Sequence, residues 1–227
     1  MRKLTTNTFI TLDGVTQAPG GPDEDPSGGF THGGWAVNYF DEGMGQIIAE
    51  SLKEPFDLML GRKTYEIFAA HWPYATDDPI AERLNSARKY VASRTLSSVD
   101  WQNSQLLGGD VADQIVKLKG QDGPDIQVHG SSDLLQTLVK HNLIDEYHLW
   151  VFPVMLGTGR RLFADGTIPT GLKLIDVKTS TTGVVITTYQ PKGEVEYGDT
   201  EFEEPSPAEV ERRKRLAEAD LAASRSS

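Results

Sequence analysis

Hydrophobic residues along this chain recur in two rhythms, and the rhythm switches repeatedly. Thr, Phe and Ile dominate Lys3–Leu12, which predicts an opening strand closed by Asp13-Gly14. Met44, Ile47, Ile48 and Leu52 stand at helical spacing, so Asp41–Leu52 is predicted helical, with Pro55 as its stop. Phe56-Asp57-Leu58-Met59-Leu60 reads as a short buried strand. Gly61 then opens a helix carrying Tyr65, Ile67 and Phe68. A helix over Asp78–Ala87 and strands over Lys89–Ala92 and Ser104–Leu107 follow, then a helix over Val111–Leu118 and a strand over Asp125–His129. Leu134, Leu135, Leu138 and Val139 mark the next helix, which Asn142-Leu143 ends. Asp145–Met155 reads as one long strand, and Leu172–Thr179 and Val184–Tyr189 as a closing pair that turns at Thr182-Gly183.

Strand and helix alternate through most of this order, and the end is strands alone. That predicts an α/β fold: a mixed, mostly parallel sheet flanked by helices, with antiparallel C-terminal strands. One stretch interrupts the alternation. Gln17–Gly34 is a long Gly/Pro/Asp loop, and loops of that length commonly line or cover a site. Beyond Gln190 the periodicity stops. Residues 1–190 are read as one domain, and residues 191–227 as an acidic linker followed by a charged helix or tail. That helix is predicted over Ala208–Ala223, and Ser224–Ser227 is predicted disordered.

Charge narrows the possible partners. The 227 residues carry a formal net charge of -11, and such a surface repels phosphate backbones, so no nucleic-acid partner is expected. No apolar run is long enough to cross a bilayer, and no membrane partner is expected. Cysteine is absent, which excludes disulfides and thiolate chemistry and suits a cytoplasmic location. His32, His71, His129, His141 and His148 show no ligand spacing, so no metal is expected.

Three predicted strand ends open into small and polar residues: Gly61-Arg62-Lys63-Thr64, Ser93-Arg94-Thr95 and Gly130-Ser131-Ser132-Asp133. Ligands in open α/β sheets bind beyond the carboxyl ends of strands, and helix N-termini there offer free N–H groups to phosphate. Each feature also has an ordinary structural reading. A glycine before a helix is a turn, Ser131 or Ser132 is an N-cap, and Arg62 and Lys63 are solvated charges. Three such ends in one domain point to a nucleotide site. Neither GxGxxG nor GxxxxGK[ST] occurs, so this is neither the dinucleotide fingerprint nor a P-loop.

These segments also carry a resemblance. LGRKTYE (Leu60–Glu66) resembles the dihydrofolate reductase signature at the strand-to-helix step, and ASRT (Ala92–Thr95) the strand end that holds the 2′-phosphate of NADPH. IQVHGSSDLLQTL (Ile126–Leu138) resembles the glycine turn and helix that cradle the pyrophosphate. TLDGV (Thr11–Val15) and LIDEYHLWVFPVMLGTGRRLF (Leu143–Phe163) resemble the reductase domain of bifunctional riboflavin-biosynthesis deaminase/reductase enzymes. The chain is therefore similar to the dihydrofolate-reductase-like family over Met1–Gln190. The resemblance implies NADPH as cofactor, a pterin-, flavin- or pyrimidine-like substrate and a homodimer. It implies that Gly61, Arg62, Lys63, Thr64, Ser93, Arg94 and Thr95 meet the cofactor phosphates, with Arg94 at the 2′-phosphate. His129, Gly130, Ser131, Ser132, Asp133 and Leu134 would line the pyrophosphate. The chain departs from the pattern in reading His129-Gly130-Ser131 where these reductases usually have Gly-Gly, a pair joined by a cis peptide in dihydrofolate reductases. It also lacks a deaminase segment with zinc-binding His and Cys, so a stand-alone reductase domain is expected, and the Gln17–Gly34 loop has no folate-site counterpart.

Hydride transfer needs a nicotinamide held against an acceptor and, in some reactions, a proton donor. Asp13 is the candidate acid at the first strand's end, and its ordinary reading is a turn residue before Gly14. Asp41 and Glu42 are the alternatives, and both also suit a helix N-terminus. Trp35 and Tyr39 are candidates to stack on a flat substrate ring, or to be core. Two further readings remain: a non-catalytic nucleotide- or ligand-binding protein on the same fold, and a partner-docking role for the acidic tail.

Overall fold

The computed structural model describes residues 1–198 and 204–224, in two compact units, Met1–Glu194 and Val195–Ser227. The first unit is built on one eight-stranded sheet in the order β4-β3-β2-β5-β1-β6-β8-β7. Its strands are β1 (Leu4–Thr11), β2 (Phe56–Gly61), β3 (Lys89–Ala92), β4 (Ser104–Leu107), β5 (Asp125–His129), β6 (Glu146–Phe152), β7 (Gly171–Thr179) and β8 (Val185–Gly193). The first six pair in parallel, and β8 runs antiparallel to both β6 and β7. The helices are α1 (Glu42–Ser51), α2 (Arg62–His71), α3 (Pro79–Ser86), α4 (Val111–Lys119) and α5 (Ser132–Lys140).

Alternation along each strand divides the core between the two faces of the sheet. Met59, Tyr90 and Leu149 go to the face packed by Ile115 of α4 and Leu135 and Leu138 of α5. Their neighbours Leu58, Leu60 and Val91 go to the other face, with Tyr65 of α2 and Leu84 of α3. Trp150 and Phe152 join Met44 of α1 and the buried Val15, Phe30 and Trp35 there. Buried on both faces, β2 is apolar except for Asp57, whose carboxylate is paired with the buried Arg2.

Two strand ends differ from the sequence expectation by more than one residue. β6 stops at Phe152 rather than Met155, because Pro153 has no N–H for the ladder and Val154 turns back onto the Phe152 carbonyl (2.8 Å). β8 continues past Gln190 to Gly193. Its pairing with β6 ends at Tyr189, so Pro191 meets only β7 and costs the central sheet no hydrogen bond.

Lys89 in β3 is fully buried. Its Nζ donates to the carbonyls of Asn85 (2.9 Å), Ala87 (2.8 Å) and Gln102 (3.1 Å) and lies 4.2 Å from the centre of the Trp101 ring. Burial lowers its pKa to about 8. In the second unit, α6 (Pro207–Ser224) has an exposed surface, including Val210, Leu216 and Leu221, and Arg212 and Arg213 both pair with Glu209. Ser224, expected in the disordered tip, belongs to this helix, and the rest of that tip, residues 225–227, lies outside the described residues.

Candidate active site

A cavity of about 1310 Å³ opens beyond the carboxyl ends of β2, β3 and β5 and runs under the Gln17–Gly34 loop. One arm is polar and glycine-rich. Gly61 ends β2, and its N–H donates to Ser131 Oγ (2.8 Å), whose hydroxyl donates to Thr64 Oγ1 (2.7 Å). Ser131 thus ties the β5–α5 turn to the first turn of α2. It makes no capping bond of its own, contrary to the N-cap reading. The two segments approach so closely that a Cβ on Gly61 would lie 2.6 Å from Ser131 Cβ. Gly130 and Ser131 are both left-handed (φ +62° and +67°), and every peptide among the described residues is trans, including the bond between them. Ser132 Oγ lies 3.0 Å from Thr16 Oγ1, joining the start of α5 to the base of the loop.

The second strand end is equally ordered. Ser93 Oγ accepts the N–H groups of Thr95 (3.1 Å) and Leu96 (3.0 Å), and Arg62 donates to Thr95 Oγ1 (3.0 Å). Arg94 lines the same arm and makes no ion pair among the described residues. Gly109 and Asp110, at the end of β4, also line it, with Asp110 capping α4 through the Asp113 N–H (3.1 Å). The sequence reading did not single them out, although Gly108-Gly109 between a strand and a helix is the same signal as the other three ends. His129, half-buried at the end of β5, has its pKa lowered to about 4 by burial and is neutral at pH 7. Its Nε2 lies 3.0 Å from Gln127 Oε1. Lys63, Asp133 and Leu134 also line the cavity, so the structure brings all thirteen expected cofactor-contact residues to one wall.

The other arm is apolar, walled by Phe9, Phe40, Ile48, Phe68, Trp72 and Trp150. Trp35 and Tyr39 are not part of it. Trp35 is core: its indole N–H donates to the Gln17 carbonyl (2.7 Å) and its ring meets Phe152 edge-on at 5.3 Å. Tyr39 packs on Phe152 from another side at 5.9 Å. A flat ring in this arm would meet Phe40, just past the 3-10 turn Val37–Tyr39, and Trp150 of β6.

The candidate acids also lie outside the cavity. Asp13 accepts from Thr11 Oγ1 (2.6 Å) and from the N–H groups of Gly157 (2.7 Å) and Leu156 (3.2 Å). The Thr11 bond is the main cause of its lowered pKa, so Asp13 is an ionised brace between two loops. Asp41 caps α1 at Met44 (2.8 Å) and accepts from Thr181, which lowers its pKa in turn, while Glu42 is exposed. Besides Asp110 and Asp133, the carboxylates that line the cavity come from the loop. Burial raises the pKa of Glu24, whose Oε2 accepts from the N–H groups of Gly20 and Gly21. Asp25 pairs with Lys63 and Arg160. The buried Gln17 side chain sets this loop: it donates to the carbonyls of Asp25 and Ser27 (both 2.9 Å) and accepts from the Arg160 N–H (3.1 Å). Sequence reasoning missed Glu24, Asp25 and Arg160, because nothing in a Gly/Pro loop shows which carboxylates fold inward. The Asp23-Glu24-Asp25 run was the available signal.

The model of the RibD C-terminal domain matches residues 2–187. The chain belongs to that family. It is 28% identical over 201 residues to the uncharacterized protein YyaP of Bacillus subtilis (strain 168), covering 85% of this chain and 96% of YyaP. Among solved structures it is similar to a pyrimidine reductase-like protein from Corynebacterium diphtheriae, with a TM-score of 0.56 and 12% identity over 84% of this chain and 92% of that one. It is also similar to dihydrofolate reductase from Enterococcus faecalis complexed with NADP(H), with a TM-score of 0.54 and 11% identity over 84% of this chain and 96% of that one. At these identities the likeness to the solved structures is one of fold. No helix among the described residues is long and apolar enough to cross a membrane, and no group of three or more His, Asp or Glu among them is arranged to hold a metal.

Proposed function

We propose that the protein is an NADPH-dependent reductase of a pterin-, flavin- or pyrimidine-like heterocycle. The observation that carries this reading is the two-armed cavity: helix N-termini, glycine turns and arginines in one arm, aromatic walls in the other. Its 1310 Å³ exceeds the roughly 300–1,000 Å³ of ordinary small-molecule pockets, as a site for a cofactor and an acceptor together requires. Membership of a reductase-type family supports the same reading.

The residues fit a phosphorylated dinucleotide. Gly61 and Gly130 carry no side chain at the closest approach of β2 and the β5–α5 turn, and the first turn of α5 offers backbone N–H groups beside them. Arg62, Ser93, Arg94 and Thr95 would hold the 2′-phosphate, and Gly130, Ser131, Ser132, Asp133 and Leu134 the pyrophosphate, with Thr64 and His129 completing the wall. A bound nicotinamide would supply the hydride. The chain's own part is to hold the two ligands together in one cavity, with Phe9, Phe40 and Trp150 in its lining, and to exclude water beneath the loop.

Titrating the protein with NADPH and, in parallel, NADH tests this by fluorescence. NADPH is expected to bind at least about tenfold more tightly, a single charge-assisted contact being enough for that. Binding of neither cofactor would sink the reading. The positions of Asp13, Asp41 and Glu42 outside the cavity favour one alternative, a non-catalytic binder on the same fold. NADPH oxidation with any heterocycle in a screen would eliminate that alternative.

We also propose a homodimer through β7, within a cytoplasmic protein without nucleic-acid partners. This edge strand exposes Leu174 (49%), Ile175 (44%) and Val177 (51%), and uncovered apolar edges invite pairing. Light scattering should report a dimer for the wild type and a monomer for L174D/V177D. A monomeric wild type at micromolar concentration would overturn the proposal.

A further inference from the structure

We infer that Lys63, Arg160 and Ser27 form a phosphate subsite which Asp25 holds, so that an incoming phosphate displaces Asp25 and releases the Gln17–Gly34 loop. The geometry is that of an anion site with an internal occupant. Lys63 Nζ donates to Asp25 Oδ1 (3.1 Å), Asp25 Oδ2 (3.3 Å) and Ser27 Oγ (2.6 Å). Arg160 donates to Asp25 Oδ2 and to Ser27 Oγ (3.1 Å). The cations come from separate parts of the chain, the first turn of α2 and the segment after β6, and converge on one carboxylate whose side chain is 13% exposed.

Three features make this more than a tether. Lys63, Arg160 and Asp25 all line the cavity. It adjoins the start of α5, because Thr16 accepts from or donates to Ser132 through its hydroxyl and donates its N–H to the Arg160 carbonyl (2.8 Å). Its charges do not balance: two cations face one carboxylate, whereas a phosphate dianion would neutralise both and supply more acceptor oxygens. Burial disfavours the charge on Arg160, which strengthens its demand for a fuller counter-anion. The carboxylate sits on a segment, Pro19–Gly34, with six glycines and three prolines, and two anchors do not involve its side chain: the Gln17 amide on the Asp25 and Ser27 carbonyls, and the Trp35 N–H on the Gln17 carbonyl. Displacing it leaves those two anchors intact.

The subsite stands on this geometry; whose phosphate enters it rests on the proposed reductase reading. Inorganic pyrophosphate is the primary probe, titrated by calorimetry into the folded wild type, D25N, K63Q and R160Q. D25N is expected to bind pyrophosphate about tenfold more tightly than the wild type, and K63Q and R160Q about tenfold more weakly. Equal or weaker binding by D25N overturns the proposal. NADPH and ribose 5-phosphate then identify the source. If NADPH affinity follows the pyrophosphate order, the group belongs to the cofactor; if ribose 5-phosphate alone follows it, the group belongs to the substrate. If pyrophosphate follows the order and NADPH binds no variant, the subsite stands and the NADPH reading fails. Hydrogen exchange on the unmutated protein gives an answer independent of how D25N folds. Amides between Gly20 and Gly29 should exchange faster with pyrophosphate, and slower exchange would mean that the loop stays latched.

Discussion

Replacing Arg94 with Ala is expected to weaken NADPH binding by about 10- to 100-fold and to leave NADH binding nearly unchanged. Arg94 follows Ser93 at the end of β3, in a turn fixed by two N–H bonds to Ser93 Oγ. Arg62, its neighbour across the arm, is committed to Thr95, while Arg94 lines the cavity free of ion pairs among the described residues. A guanidinium so placed can grip a monophosphate with two parallel N–H bonds, and a hydrogen bond to a charged group contributes about 1.5–3 kcal/mol. NADH lacks that phosphate and loses nothing. R94K keeps the charge without the fork, so an intermediate loss is expected. Parallel fluorescence titrations read all of this. If R94A weakens both cofactors equally, Arg94 acts on a group they share, and the assignment to the 2′-phosphate is wrong.

Gly61→Ala should destabilise the fold by about 1–3 kcal/mol, the range for overpacking a filled interior. The reason is space, not backbone conformation: Gly61 has φ −77°, which any residue adopts. Its missing Cβ would stand 2.6 Å from both Ser131 Cβ and Ser131 Oγ, a separation real Cβ atoms do not tolerate. Either β2 or the β5–α5 turn must move, and both line the cofactor arm, so NADPH affinity should fall with stability. Urea denaturation of G61A, S131G and the double variant separates the cause. Ser131 is left-handed, where glycine is favoured, and S131G removes the atoms in conflict. The double variant should therefore recover much of the loss, a coupling expected only of side chains in contact. If the losses simply add, the clash is not the mechanism.

The sheet and helices were legible in the sequence because their signals are local. β2 is apolar except for Asp57, and α5 repeats Leu134, Leu135 and Leu138 at helical spacing. The strand ends were legible because three of them in one domain open into Gly or Ser, and Gly61–Thr64, Ser93–Thr95 and Gly130–Leu134 do line one cavity. Where the local signal was ambiguous the reading went astray. Aromatic rings suit a binding wall and a core equally well, and Trp35 went to the core because its N–H finds the Gln17 carbonyl there. Asp13 has a position suited to catalysis, but bonds to residues 143 and 144 positions away hold its carboxylate as a brace.

By itself, then, the sequence determined the element order, the mostly parallel sheet and the polar strand ends, each written in residues a few positions apart. Tertiary structure alone decided which carboxylates enter the cavity and what they face. Asp25 meets Lys63 and Arg160 across 38 and 135 residues of chain. A Gly/Pro-rich loop encodes no such partners. They follow from where the sheet brings the ends of β2 and β6, and from the pull of two partly desolvated cations on the nearest available anion.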